Sequence, residues 1–387
     1  MKVCYVAVLD RVVKYFFGPE IDAICENNDV TCITNFTDPE FREKLSGKVK
    51  TADIKISRNV SPFNLIKSIF KLRKIFKKEK FDVIQYTGPS TGLICSIAGR
   101  MAKVKTRVYC LWGVRYEGFS GGLKRKIFKF LEKQSCKNST NIIFDSEYNR
   151  DFLIKEKVLK DDKKTYVVSK GSACGIDLKT YDIAKKDAFN EEVRTKYNVP
   201  KEAFVVGYLG RISYEKGVNE ILYSMKQIMS EDKNVYLMMV GFVEEEAGMD
   251  KELLEWAQAE QRVIFTGRQD QPERFYASFD LFVFPSYREG FGGGVVQAGA
   301  FAVPSIVSDI GPLVETIRHG ELGWSFPVKD RQALLETIQA VYKDTDALKE
   351  KGENMQKYVQ QYFEQAYWME IYKKHITDVY EANKNKK

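Results

Sequence analysis

Short apolar runs alternate with longer stretches of helical period along the chain. Val3–Leu9 reads as a buried strand that ends at Asp10 in a loop, ahead of a helix near Pro19–Asn27. Val30–Thr34 predicts a second strand and Ala52–Ile56 a third. After Ser61-Pro62 the pattern predicts a strongly periodic helix from Asn64 to Lys80. Leu65, Ile69, Leu72 and Phe76 share one of its faces, and Lys67, Lys71, Lys74 and Lys78 lie along another. Asp82–Thr87 is the next strand, the turn Gly88-Pro89-Ser90 opens a helix through Arg100, and Arg107–Leu111 is a strand running into Trp112-Gly113. Ile142–Phe144 and Thr165–Ser169 continue the series. The charged, helical stretch 178–200 reads as a connection between domains, after which strands are predicted at Phe204–Leu209, Val235–Val240, Arg262–Gly267 and Asp280–Pro285. A helix from Val295 and a strand from Pro304 follow, and Tyr362–Tyr380 is helical, with aromatics at 363, 367, 368 and 372. Residues 383–387 read as disordered.

This alternation implies parallel sheets with helices on both faces. The loops at Asp10, at 88–91 and at 113–122 then leave strand carboxyl ends and line one crevice. With 387 residues, 44% of them hydrophobic, the chain fills two domains rather than one. Its net charge of +8 is divided unevenly: residues 1–200 carry 39 Lys+Arg against 24 Asp+Glu, and residues 201–387 carry 22 against 29. A basic half suggests that one domain meets an anionic surface, and no recognised motif points to nucleic acid. The seven cysteines are scattered without a CxxC pair, which predicts free thiols in a reducing cytoplasm. No apolar run reaches membrane-span length, and Met1-Lys2 leads straight into a strand, so neither a signal peptide nor an integral span is expected.

The chemistry concentrates after the strand at 280–285. Glu289 opens a turn of Gly290, Phe291, Gly292, Gly293 and Gly294, and the helix from Val295 follows. Bare backbone N–H groups and a helix N-terminus at a sheet's carboxyl edge bind anions, and glycines let a phosphate or sugar ring come close. A carboxylate there would repel phosphate, so Glu289 suits sugar hydroxyls beside it. The plain alternative is a tight loop with Glu289 in water.

This stretch resembles the E-x7-E signature of retaining glycosyltransferases of family 4, which have the GT-B fold. Glu289 matches the first acid, and Gln297 stands eight positions on where the family usually has glutamate. By the resemblance Glu289 contacts the donor sugar and Gln297 the ribose, where an amide still donates and accepts hydrogen bonds. Gly210-Arg211, followed by Lys216-Gly217, is similar to the family's G-R-x4-K-G pattern. A diphosphate leaving group develops negative charge, which a guanidinium and an ammonium stabilise. A helix start with two solvated cations is the alternative. The resemblance also implies that the Gly267–Arg268 backbone contacts the base, and that Gly175-Ile176-Asp177 closes the first domain.

On the acceptor side, Asp10 and the segment Trp112–Gly122 are implied, with Trp112 where many relatives have histidine. Trp112, Tyr116 and Phe119 offer ring faces to a pyranose, and Arg115 and Glu117 offer groups for hydroxyls or phosphate. A mobile loop without ligand is the alternative. Only His319 and His375 occur, both far downstream, so no histidine of the first half serves. The resemblance implies domains at 1–185 and 186–362 facing across a central cleft, and a helix at 363–387 returning to the first. It implies transfer of a sugar from a nucleoside diphosphate, UDP-linked, to a glycan or polyprenyl-diphosphate-linked saccharide. No DxD pair flanks the site, so no metal or other cofactor is expected. An anionic membrane surface at the inner face would be met by the lysine stripe and by a second group, Lys124, Arg125, Lys126 and Lys129. Two crossover helices with apolar faces on the sheet and lysines in water are the alternative, and the two groups act together only if both helices face the same side of the sheet. The rival readings are a GT-B nucleotide-sugar epimerase and a noncatalytic nucleotide-sugar-binding partner.

Overall fold

The computed structural model describes residues 1–54, 62–119, 121–244 and 247–385. The chain forms two compact units, Met1–Gly175 with Gln365–Lys387, and Ile176–Glu364. Among the described residues each is built on one all-parallel sheet.

In the first unit the strands are β1 (Lys2–Leu9), β2 (Asp29–Asn35), β3 (Lys50–Asp53), β4 (Val83–Thr87), β5 (Thr106–Leu111), β6 (Asn141–Phe144) and β7 (Thr165–Val167). They lie in the order β3-β2-β1-β4-β5-β6-β7. The expected third strand is shorter than its apolar pattern, and its last positions, 55 and 56, lie outside the described residues. Helix α1 (Gly18–Ile24) is on one face, with α2 (Pro62–Glu79), α3 (Pro89–Met101) and α4 (Gly122–Asn138) on the other. The split follows from strand order. Right-handed crossovers put helices on one face while the chain steps from β1 to β3, and on the opposite face once it turns back from β3 to β4 and continues outward. Side-chain alternation shows it: Cys4, Ile84, Tyr109 and Ile142 pack with Leu72 and Phe76 of α2 and with Ile94 and Ala98 of α3, whereas Val3, Val83 and Val108 pack with Ile21 of α1.

The predicted face of α2 is the packed one, with Leu65, Leu72 and Phe76 buried. Because α2 and α4 both pack against α3, the two basic helices share one side of the sheet.

In the second unit the strands are β8 (Phe204–Leu209), β9 (Val235–Val240), β10 (Val263–Gly267), β11 (Leu281–Phe284), β12 (Ser305–Ser308) and β13 (Trp324–Phe326). Their order is β10-β9-β8-β11-β12-β13. The helices that matter here are α5 (Val218–Glu231), α6 (Gly293–Ala300) and α7 (Thr345–Tyr362). The stretch 178–200 is no bare connection: it holds the helix Lys186–Lys196, and Val193 and Val199 enter this unit's core.

The final helix, α8 (Gln365–Lys384), belongs to the first unit. The predicted helix is broken before it, at 363–364, so Phe363 packs in the second unit's core while Trp368 and Tyr372 pack in the first. The Trp368 indole donates to the Gly171 carbonyl at 2.9 Å, and the Tyr372 hydroxyl reaches the buried Glu20 carboxylate at 2.7 Å. Burial pushes the Glu20 carboxyl up and well above its ordinary range. Helical order runs past the expected end: Asn383 is buried, and the Lys384 carbonyl accepts from Lys105 at 2.6 Å, while 386 and 387 lie outside the described residues. No helix among the described residues is long and apolar enough to cross a membrane. All seven cysteines are free thiols.

Candidate functional site

Strand order in the second sheet reverses between β8 and β11, and in open α/β sheets ligands bind outside the carboxyl ends of strands at such a point. The loops leaving β8 and β11 carry the two motifs. After β8 the chain passes Gly210 and Arg211 into a 3-10 turn, Tyr214–Lys216, and Gly217 starts α5. Gly217 has φ +70°, and a Cβ there would stand 2.2 Å from the Pro285 carbonyl oxygen, so the turn lies directly on the end of β11. The Tyr287 amide donates to the Glu215 carbonyl at 3.0 Å, and the Tyr287 hydroxyl to both Glu220 carboxylate oxygens at 2.8 Å. Burial, with the Glu220 charge beside it, pushes that hydroxyl up, so it stays a donor.

These ties bring two predicted residues together. Lys216 Nζ lies 2.5 Å from Glu289 Oε1, with the two side chains only 20% and 16% exposed. Arg211 is exposed and paired with Glu244, and its own carbonyl accepts from the buried Tyr208 hydroxyl at 2.5 Å. At the neighbouring strand ends the Gly241 amide donates to the Gly267 carbonyl at 3.0 Å, and Arg268 is exposed, 3.9 Å from Asp270.

Helix α6 begins two residues earlier than its apolar pattern indicates, at Gly293. Gly292 caps it, and a Cβ on Gly292 would be 2.7 Å from the Thr316 hydroxyl, whereas Gly293 is exposed with open space where its side chain would be. The first amides of α6 are thus reachable beside Gly290 and the Lys216–Glu289 pair. Phe291 does not belong to that mouth in the way its place in the motif suggests, because it packs on Phe363 with ring centres 5.7 Å apart. Gln297 is half-buried on α6.

In the first unit two expectations need correction. Asp10 is not in a loop: a helical segment starts at it and runs on to Ile24 with a π turn at Val13–Phe17. Its buried carboxylate accepts from the Thr37 hydroxyl at 3.0 Å and the Asp38 amide at 2.7 Å, which ties the segment after β2 to the end of β1. Burial pushes this carboxyl up, but the Thr37 and Asp38 hydrogen bonds outweigh it and hold the group below its ordinary value. Tyr116 offers no ring face, being fully buried against Phe152 and under the Arg125 guanidinium. Trp112 is half-buried with its ring 5.1 Å from those of Phe16 and Phe17. Arg115 is exposed over Phe128, and Glu117 accepts from the Tyr148 hydroxyl at 2.7 Å.

His375 joins the first unit through α8, stacked on Tyr166 at 3.7 Å and 3.0 Å from Asn141. Asn141 starts β6, so this ring is at the amino edge of the sheet, away from the loops at the carboxyl ends. Burial brings it down to about 4. His319 is exposed in a turn at φ +54°.

Sequence reasoning missed Tyr287, Glu220, Pro285 and Thr316, which hold the motif loops rather than carry chemistry. Their roles are contacts across 67 residues of chain in the case of Tyr287 and Glu220, and no local pattern marks them.

Two family models match the chain, Glycosyl transferases group 1 over residues 189–362 and Glycosyl transferase 4-like over residues 2–146. The capsular polysaccharide biosynthesis glycosyltransferase CapM of Staphylococcus aureus is 31% identical over 320 residues, 82% of this chain and 82% of its own. The UDP-Gal:alpha-D-GlcNAc-diphosphoundecaprenol alpha-1,3-galactosyltransferase of Escherichia coli is 25% identical over 293 residues, 75% of this chain and 73% of its own. Sucrose-phosphate synthase from Thermosynechococcus elongatus superposes with a TM-score of 0.80 at 20% identity over 99% of this chain and 100% of that one, a likeness of fold. That fold is the two-domain GT-B architecture.

Proposed function

The chain belongs to the group 1 glycosyl transferases, and from that premise we propose that it moves a hexosyl or N-acetylhexosaminyl group from a UDP-linked donor to a lipid-linked saccharide, retaining configuration at the anomeric carbon. The observation that carries this reading is the Lys216–Glu289 pair at the β8–β11 switch point, with Arg211 on the same loop. The named acceptor of the Escherichia coli relative is a diphosphoundecaprenol saccharide, which supports the acceptor class.

In this mechanism the bond from the anomeric carbon to the diphosphate oxygen breaks first. Arg211 and Lys216 take up the charge that develops on that oxygen, and the α6 amides help. The acceptor hydroxyl attacks from the face the diphosphate is leaving and passes its proton to the departing phosphate oxygen. The new bond therefore forms on the side of the old one. Glu289 accepts hydrogen bonds from donor sugar hydroxyls and, before the donor arrives, is held in place by Lys216. Because two side-chain cations meet the leaving group, we expect no fall in rate on adding a chelator.

A panel of nucleoside diphosphate sugars with a polyprenyl-diphosphate disaccharide, read by nucleoside diphosphate release and by the anomeric coupling constant of the product, tests the proposal. Release only without acceptor, or an inverted product, would sink it. Gln297→Glu restores the family's second acid on α6 and is expected to keep donor affinity or raise it about twofold to tenfold through a charge-assisted bond to ribose. A large loss in a donor titration would mean that the pocket is built around an amide.

We place the first unit at the inner face of an anionic membrane. It carries 39 Lys+Arg against 22 Asp+Glu, and its basic helices α2 and α4 share one side. Each lysine near such a surface contributes about 1 kcal/mol, fading within a Debye length. Of the second basic group, Arg125 and Lys129 are turned to Glu156, at 3.0 and 2.7 Å, which leaves Lys124 and Lys126 as its exposed members.

A further inference from the structure

Beside those lysines, α2 and α4 expose six large apolar side chains, from 47% for Ile127 to 78% for Phe63. Phe63, Ile66 and Phe70 form a row on α2 at spacings of three and four, and Leu123, Ile127 and Phe130 form one on α4 at four and three. Neither row packs on the sheet, since Leu65, Leu72 and Phe76 do that for α2, and Glu132, Ser135, Cys136 and Asn138 are the buried positions of α4. The two helices flank α3 and come together over it at their first halves. Leu65 and Phe128, each next in sequence to a row member, line one small cavity over α3 together with Leu93 and Leu131.

The rows are also polarised along the helices. Both helices end where the next strand begins, α2 before β4 and α4 before β6, so their first halves point to the carboxyl edge of the sheet. All six apolar residues lie in those first halves, on the edge from which the loop after β5 also emerges.

Exposed lysines flank them, Lys67, Lys71 and Lys74 on α2 and Lys124 and Lys126 on α4. The acids of these helices are Glu79, at the far end of α2, and Glu132, which is buried. A second copy of the chain on this face would set like charges against one another. An anionic lipid surface answers the cations and receives the apolar rows.

We propose that Phe63, Ile66, Phe70, Leu123, Ile127 and Phe130 insert into the acyl boundary of an anionic bilayer, carboxyl edge of the sheet first. This deepens the membrane placement above and rests on it for the attracting charge. Lysines alone would give binding that salt abolishes, whereas buried apolar side chains keep a share of it in salt.

The test uses the full chain with vesicles of phosphatidylcholine and phosphatidylglycerol, in low salt and in about 1 M salt, where the Debye length falls to about 3 Å. Wild-type protein is expected to stay bound in high salt. A chain carrying Phe63→Ser, Phe70→Ser, Ile127→Ser and Phe130→Ser is expected to bind in low salt, lose about tenfold or more of its high-salt partition, and melt at the wild-type temperature. A Phe130→Trp chain reports depth over the background of the four native tryptophans: emission added to that of wild type that is blue-shifted and quenched by brominated acyl chains supports insertion, and added emission that is neither overturns it. Full release of wild type by salt would overturn insertion and leave the lysine reading standing, while no binding at either salt would overturn both. A wild-type dimer that the serine variant converts to monomer would assign the face to a second copy and overturn the proposal.

Discussion

Replacing Lys216 with alanine is expected to lower kcat/KM by about 2–4 kcal/mol, roughly thirtyfold to a thousandfold, with little change in melting temperature. The ammonium is 2.5 Å from Glu289, so the substitution removes two things at once. The leaving diphosphate loses a cation, and Glu289 loses the partner that holds it for the sugar. Arg211→Ala removes a cation that pairs with the half-exposed Glu244, and so leaves the Lys216–Glu289 pair in place. A Lys216→Ala and Glu289→Ala cycle separates the terms. If the two residues act through one another, the double variant is no worse than the poorer single one. Near-normal turnover in both Lys216→Ala and Arg211→Ala would remove the diphosphate assignment.

Trp368→Ala is expected to cost the first unit about 3–5 kcal/mol. The indole is fully buried, stacked with Tyr372 at 5.6 Å, and bonded to the Gly171 carbonyl. Calorimetry should show the transition of the first unit moving down by several degrees. Donor binding, which we propose for residues of Ile176–Glu364, should be unchanged. An unmoved transition would mean that α8 adds nothing to the unit it packs in.

Most strands were legible as apolar runs stopped by aspartate, glycine or proline, as at Asp10, Gly88, Asp145, Gly210, Gly241 and Pro285, and so were the motif residues beside them, whereas the three-residue β13 (Trp324–Phe326) was not read. What could not be read were contacts made across the fold. Gly217 is plain as a helix start, but the reason for glycine is the Pro285 carbonyl pressed against it. Tyr116 sits among glycines, where an aromatic ring serves a sugar or a core equally well, and only the short turn Arg115–Gly118 decides that it faces inward. Asp10 reads as a site carboxylate, and nothing near it in sequence announces the Thr37 and Asp38 amides that occupy it. The common side of α2 and α4 depends on strand order, which periodicity does not contain. Once β1 is known to pair with both β2 and β4, the handedness of the crossovers dictates that side.

The interrupted make-up of the first unit sets an order of events during synthesis. The second unit is one continuous stretch of 189 residues, Ile176–Glu364, and it can close its core as soon as that stretch leaves the ribosome. The first unit has all seven strands by Val167 but must wait for α8. At about 5–20 residues per second the delay is roughly 10–40 s. Through that interval the sheet face bearing Val3, Tyr5 and Val108 lacks Trp368, Tyr372 and Ile376, and the nascent chain presents an uncovered apolar surface. A chaperone that recognises such surfaces has its longest opportunity on this protein between the emergence of β7 and that of α8.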